Sequence, residues 1–341
     1  MGSEAALLAL VGRRTFTRFA VLLTLVVSLS SPWHATAHAA DDQRRARVGI
    51  LGPSEEPRFS HVTTGLRQGL LDQGRAAGTI ELLEGRVRRG DADGARSTVA
   101  AFARQGVRIL FVIGSSLVGP ARDAAPDLPI VFLTPGDPVS AGMVASLAHP
   151  GRNMTGMTFE YPELSGKRLE ILKELAPRAR RVLALIDPRD ASPRQSVAAA
   201  RQAATGLGFV LVEREVRGTE ELSRGLEALG DVDAVLGIPG GFPSAHAAEI
   251  IRRAHVRRLP TVFPTRTAET DEAVVTYGAS DVAAARQAAR LVDKILKGAK
   301  AGELPIERPL TLEFTLSVKA ARALGLTIPP MLLQRVDRLL E

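Results

Sequence analysis

Three short apolar runs of this chain recur, in the same order, about 130 residues downstream. "RVGILGP" (residues 47–53) has the rhythm of "RVLALIDP" (181–188), and "VRILFVIGSS" (107–116) that of "VDAVLGIPGG" (232–241). "LPIVFLT" (128–134) matches "LPTVFPT" (259–265) at five of seven positions. The offsets are 134, 125 and 131 residues. One such pair would mean little, because strands rich in Val and Leu resemble one another. Three in order at nearly constant offset predict two similar lobes.

Each lobe alternates strand and helix patterns. In the first, "ARVGIL", "TIELLEG", "VRILFVIG" and "LPIVFL" read as strands. Helices are expected over 59–73 and 91–105, with a short one near 118–125. The strand runs are short and continuously apolar, as parallel strands covered on both faces must be. The predicted fold class is α/β: two similar doubly wound lobes with a ligand cleft between them. Such sheets bind ligands beyond the carboxyl ends of their strands. The candidate contacts are therefore Ser54, Ser115, Ser116, Thr134 and Asp137 from the first lobe. Asp187, Gly240, Phe242 and Tyr277 are the candidates from the second.

The stretch "GDPVSAGMVASLAHPGRNMTG" (136–156) joins the lobes. Gly136-Asp137-Pro138 reads as a cleft loop. Residues 143–147 and 154–159 read as strands, with a turn over 150–153 between them. Asn153, the only asparagine of the chain, suits the left-handed conformation such turns use. Glu163 opens a helix of the second lobe. The expected division is 40–157 with 278–310 for the N-terminal lobe, and 158–277 with 311–341 for the C-terminal lobe. The tail is expected to end in a helix over 330–340, with Leu332, Leu333, Val336, Leu339 and Leu340 at helical spacing.

Composition narrows the chemistry. The chain has no cysteine, which excludes disulfides, thiol catalysis and Cys-based zinc sites. The formal charge of +7 is scattered, with no run of five like charges, so no nucleic-acid partner is expected. "GSSLVG" (114–119) approaches a nucleophile elbow but has Val118 where G-x-S-x-G needs Gly. No phosphate-loop or dinucleotide fingerprint occurs, and His61, His149, His246 and His255 lack metal spacing. No catalytic constellation, cofactor or metal is expected. Arg13, Arg14 and Arg18 precede an apolar run over 19–29, and Ala37-His38-Ala39 offers a cleavage site. Residues 1–39 thus read as a signal peptide cut after Ala39, with "RRTFT" similar to a twin-arginine motif. The expected compartment is the periplasm.

Several blocks carry a family resemblance. "PIVFLTPGDPVSAGMVASLAHPGRNMTG" (129–156), "KRLEILKELAP" (167–177), "VDKILKGAKAGELPIERP" (292–309) and "KAARALGLTIPPMLLQRVDRLLE" (319–341) resemble the tryptophan/tyrosine-type periplasmic substrate-binding proteins of ABC transporters. The resemblance implies a type I periplasmic-binding fold. It also implies closure around a small solute, an amino acid or related compound, and delivery to an ABC permease in the inner membrane by a monomeric receptor. The chain departs from the family pattern at Gly151-Arg152, at residues 271–275 and at Gly114-Ser115-Ser116-Leu117, which are turn, hinge and cleft positions. An exported α/β enzyme or a solute sensor using the same cleft stands as the alternative. A sugar-responsive repressor core fits less well, since the export signal occupies the place of its DNA-binding helices.

Overall fold

The continuous apolar runs, rich in Val, Ile and Leu, form two sheets of buried strands. The computed structural model describes residues 45–54, 58–88, 90–158, 162–189, 193–267 and 270–341. The expected signal peptide and its cleavage site lie outside these residues. The first sheet contains β1 (Ala46–Pro53), β2 (Ile80–Val87), β3 (Val107–Ile113), β4 (Ile130–Thr134) and β5 (Met154–Thr158). Its order is β2-β1-β3-β4-β5. Helices α1 (Arg58–Asp72), α2 (Ala92–Arg104) and α3 (Ser115–Ala124) connect the first four strands. Asp91 caps α2 by accepting a hydrogen bond from the Gly94 amide.

The second sheet contains β6 (Arg181–Ile186), β7 (Val210–Glu215), β8 (Ala234–Leu236), β9 (Thr261–Phe263), β10 (Val275–Gly278), β11 (Glu313–Ser317) and β12 (Arg338–Leu340). Read from β7, its order is β7-β6-β8-β9-β10-β11-β12. The first five repeat the order of the first sheet. The sequence pairs are thus β1 with β6, β3 with β8 and β4 with β9, each in the equivalent place. Antiparallel β11 and parallel β12 extend the second sheet beyond the repeat. Its helices are α4 (Pro162–Leu175), α5 (Pro193–Leu207), α6 (Thr219–Glu227), α7 (Gly241–Ala245) and α8 (Ala247–Val256).

Both faces of each sheet are covered, and the alternation of side chains along a strand sorts them. Val48, Ile50, Ile109 and Phe111 enter one cluster, with α1 and α9 (Asp281–Leu296). Leu51, Leu110 and Val112 enter the other, with α2 and α3. The second sheet divides in the same way. The chain passes between the sheets three times: between β5 and α4, between β10 and α9, and between Glu307 and β11. Glu307 forms an isolated parallel bridge with Met157 on β5, and α9 packs along α1.

Three local expectations fail. Residues 143–147 form no strand. Met143 and Val144 are buried, but turn bonds take their backbone: the Met143 amide donates to Pro138 O and the Ala145 amide to Pro150 O. Burial there needs apolar side chains, not a ladder. In the following turn the left-handed residues are Gly151 and Arg152, at φ 70° and 53°, not Asn153. Asn153 instead donates from Nδ2 to Asp127 O at 2.8 Å, tying the turn to the chain before β4. Finally, the tail is helical only in α11 (Pro330–Leu333), after the short α10 (Val318–Ala323). Residues 338–340 turn extended and pair with β11, whose exposed edge offered backbone partners. Leu332 is fully buried, whereas Leu333 and Leu339 are exposed.

Candidate functional site

At the carboxyl ends of β3 and β4 the chain must leave a buried strand quickly, and small or special residues allow it. Gly114, at φ 94°, ends β3 and is the N-cap of α3, which has no side-chain cap. Ser115 follows, half-buried, and Ser116 is exposed. Thr134 closes β4, 1 % exposed, with its hydroxyl donating to Pro135 O at 3.0 Å. Gly136, at φ 81°, then turns the chain.

Asp137 organises the loop that follows. Its Oδ1 accepts from the Val139 amide at 2.8 Å and its Oδ2 from Ser140 Oγ at 2.7 Å. Burial pushes this carboxyl up, but the hydrogen bonds from Ser140, Val139 and Gln195 outweigh it and hold the group below its ordinary value. Ser140 Oγ also accepts from Gln195 Nε2 at 2.9 Å. Gln195 stands in the first turn of α5, on the other sheet's side. The chain Gln195–Ser140–Asp137 therefore bridges the two sheets.

These groups enclose a cavity of about 220 Å³ lined by Ser115, Thr134, Pro135, Asp137, Pro138, Ser140, Ala141, Met143, Arg194 and Gln195. Of the sequence candidates, Ser115, Thr134 and Asp137 meet here. Arg194 and Gln195 were not anticipated. The available signal was Pro193, which favours the first helical position and places the next residues at a helix start beyond β6. Ser54 does not line the cavity; it is exposed after β1, with its amide donating to Val87 O. Residues 190–192 lie outside the described residues.

Asp187, a candidate from its strand-end position, does not line this cavity, and its carboxylate is engaged within its own lobe. Its carboxylate, 2 % exposed, accepts from Arg189 N at 3.0 Å, Arg189 Nε at 2.9 Å, the second Arg189 guanidinium nitrogen at 2.8 Å and the Phe242 amide at 3.0 Å. It thereby joins the loop after β6 to the start of α7, where Gly240 sits at φ 86°. Phe242 stacks on His246 with ring centroids 3.9 Å apart. Tyr277 packs edge-on against Phe314 within the second sheet's core. Neither ring lines the cavity. Burial raises the Asp187 carboxyl, but Arg189 and the two amides outweigh it, and the net direction is down. The folded carboxyl lies below its ordinary 3.8. Its stabilisation is therefore complete well above that value and is lost as the pH falls through the folded pKa. Asp187→Asn is expected to cost about 1–2 kcal/mol at pH 7. Its urea midpoint should fall less than that of the unmodified chain between pH 6 and pH 3; equal slopes would show that Asp187 carries none of the acid lability.

A second cavity of about 300 Å³ lies beside the β10–α9 crossover. Its arginines are already engaged, Arg266 with Asp271 at 2.6 Å and Arg338 with Glu313 at 3.7 Å. Among the described residues no group of three metal-ligating side chains occurs, and no helix is long and apolar enough to cross a membrane.

Comparison with known proteins agrees with this architecture. The tyrosine-binding protein of Clostridioides difficile (strain R20291) is 23 % identical over 288 residues, covering 84 % of this chain and 83 % of that protein. Among solved structures, the ABC domain from Streptococcus pneumonia in complex with L-Trp superposes with a TM-score of 0.79 at 20 % identity, over 87 % of this chain and all of that one. A conserved domain protein from Vibrio cholerae gives 0.78 at 22 %, over 86 % and 99 %. The leucine-binding protein LivK of Thermotoga maritima gives 0.55 at 14 %, over 75 % and 84 %. These likenesses show a two-lobed type I periplasmic-binding fold. The family profile described as ABC transporter substrate binding protein matches residues 47–339, and the chain belongs to that family.

Proposed function

We propose that the protein is the extracytoplasmic solute receptor of an ABC import system, with residues 1–39 as a leader removed on export. The lobes 40–157 with 278–310 and 158–277 with 311–341 close on a small polar solute, which the closed form presents to a permease. The observation that carries this reading is the cavity at the strand ends. It is lined by hydroxyl, carboxylate, amide and guanidinium groups supplied from both sheets, the composition of a site that holds a solute by hydrogen bonds and charge. Ser115, Thr134, Asp137 and Ser140 hold the solute from the first lobe, and Arg194 and Gln195 from the second. Asp187, Gly240 and Phe242 shape the second lobe's rim. Relatives that bind tyrosine, tryptophan or leucine favour an amino acid as cargo. Closure is a shift between open and closed states driven by the solute's preference for the closed one, and it needs no bond chemistry.

The test is the thermal stability of residues 40–341 against amino acids, organic acids, sugars and nucleosides. A solute at 100 times its Kd is expected to stabilise the fold by about 2.7 kcal/mol, with no turnover of the bound compound. Consumption of the compound would favour the exported enzyme instead. The absence of any shift across all classes would overturn the receptor.

A further inference from the structure

Two opposite charges face the strand-end cavity without neutralising each other. Arg194 lines it, is exposed, and makes neither an ion pair nor a side-chain hydrogen bond among the described residues. Three neighbouring arginines of the same lobe are engaged, Arg189 by Asp187, Arg181 by Asp231 and Arg201 by Glu213, whereas Arg178 and Arg252, which do not line the cavity, are like Arg194 without such a partner among the described residues. From the other sheet, Asp137 is held by the Val139 amide, the Ser140 hydroxyl and Gln195, and by no cation among the described residues.

Closing the cleft strips water from both groups, and a charge without water or a partner is costly. The closed state is therefore favoured most by a solute that supplies both missing charges. The end of the cavity at Ser115 is the start of the ten-residue helix α3, whose N-terminus has no side-chain cap and whose dipole also favours a negative group. A guanidinium takes a carboxylate through two parallel hydrogen bonds. Pro135, Pro138, Ala141 and Met143 add an apolar wall.

We infer that Arg194 is the specificity-determining residue of the cleft, reading the carboxylate of a zwitterionic amino acid whose ammonium group faces Asp137. This rests on the receptor reading above.

The experiment uses residues 40–341 and calorimetric titration with the twenty common L-amino acids, a set of sugars and a set of nucleosides. For each amino acid that binds, its decarboxylated amine and its N-acetyl derivative are titrated as well. At least one amino acid is expected to bind, its amine and its N-acetyl derivative each at least 30-fold more weakly. Arg194→Ala is expected to weaken that amino acid by roughly 100-fold and Arg194→Lys by about tenfold, with unchanged unfolding midpoints showing that both variants fold. An amine that binds as tightly as its amino acid, or an affinity indifferent to Arg194→Ala, would overturn the inference and leave the receptor standing. Binding of sugars or nucleosides alone would do the same. Binding of nothing would overturn the receptor, and this inference with it.

Discussion

Gly65→Val is expected to lower the unfolding free energy by about 3 kcal/mol. Helix α1 carries Gly65 and Gly69 one turn apart, both buried, on the face that meets α9. A Cβ at Gly65 would lie 2.3 Å from Val282 O, and one at Gly69 would lie 2.3 Å from Arg286 O and 2.6 Å from the Ala289 Cβ. Opposite them α9 presents Ala284, Ala285, Ala288 and Ala289, nearly all their surface buried. Glycine inside a helix costs about 1 kcal/mol relative to alanine. Two of them persist here because they let the backbones approach until α9 seals one face of the first sheet. The obstacle at Gly65 is a backbone carbonyl, which cannot rotate aside as a side chain tip would. The helices must separate, opening the cluster around Val62, Leu66 and Val292. Gly206→Ala in α5 is the control: nothing lies within 4 Å of its added Cβ, and the change is expected to stabilise by about 0.5–1 kcal/mol. Urea midpoints measure both. A Gly65→Val midpoint equal to that of the unmodified chain would show that the α1–α9 contact is not the tight one described.

The two sheets were legible in the sequence because a strand buried on both faces has almost no freedom of composition. Ile109 to Ile113 and Ala234 to Leu236, buried throughout, could be little other than apolar, so the repeat is legible. Where burial and regular structure come apart, the reading failed. Met143 and Val144 are apolar because they fill the core beneath α3, while turns take their backbone. The leucines at 332, 333, 339 and 340 have helical spacing, yet Leu339 and Leu340 pair with Leu316 and Ser317, because an open sheet edge outweighs a short stripe. At the strand ends the sequence marks Ser115, Thr134 and Asp137, which line the cavity, but not the partners they meet there. Asp187 reads as a strand-end carboxylate, and the sequence does not show that Arg189, two residues on, engages it. Arg194 reads as one more solvated charge, since sequence does not show which arginines have carboxylates within reach.

Arg168 shows the same limit from the inside, and its replacement is the second large effect expected. It is fully buried, the largest side chain so placed among the described residues. Its position falls on the apolar stripe of α4 formed by Leu164, Ile171 and Leu175, where helical spacing calls for a hydrophobe. Its Nε donates to Tyr277 O at 2.8 Å. The next residue, Gly278, is packed so closely that a Cβ would stand 2.1 Å from Pro264 O and 3.1 Å from an Arg168 guanidinium nitrogen. The guanidinium thus supports the end of β10, immediately before the chain crosses to α9. Arg168→Met keeps the length but removes the guanidinium and its hydrogen bond to the half-buried Tyr277 carbonyl. The expected cost is about 3 kcal/mol, read as a lower urea midpoint. Arg201→Met, which breaks an exposed pair with Glu213, is expected to cost under about 1 kcal/mol. Hydrogen exchange separates a local role from a general loss of core packing. If Arg168 anchors the crossover, the amides of residues 275–281 should exchange faster in Arg168→Met by a larger factor than those of β6 and β8 in the same sheet. A uniform acceleration would make Arg168 a core residue only. Equal loss in the Arg201 variant would remove burial as the reason for the effect.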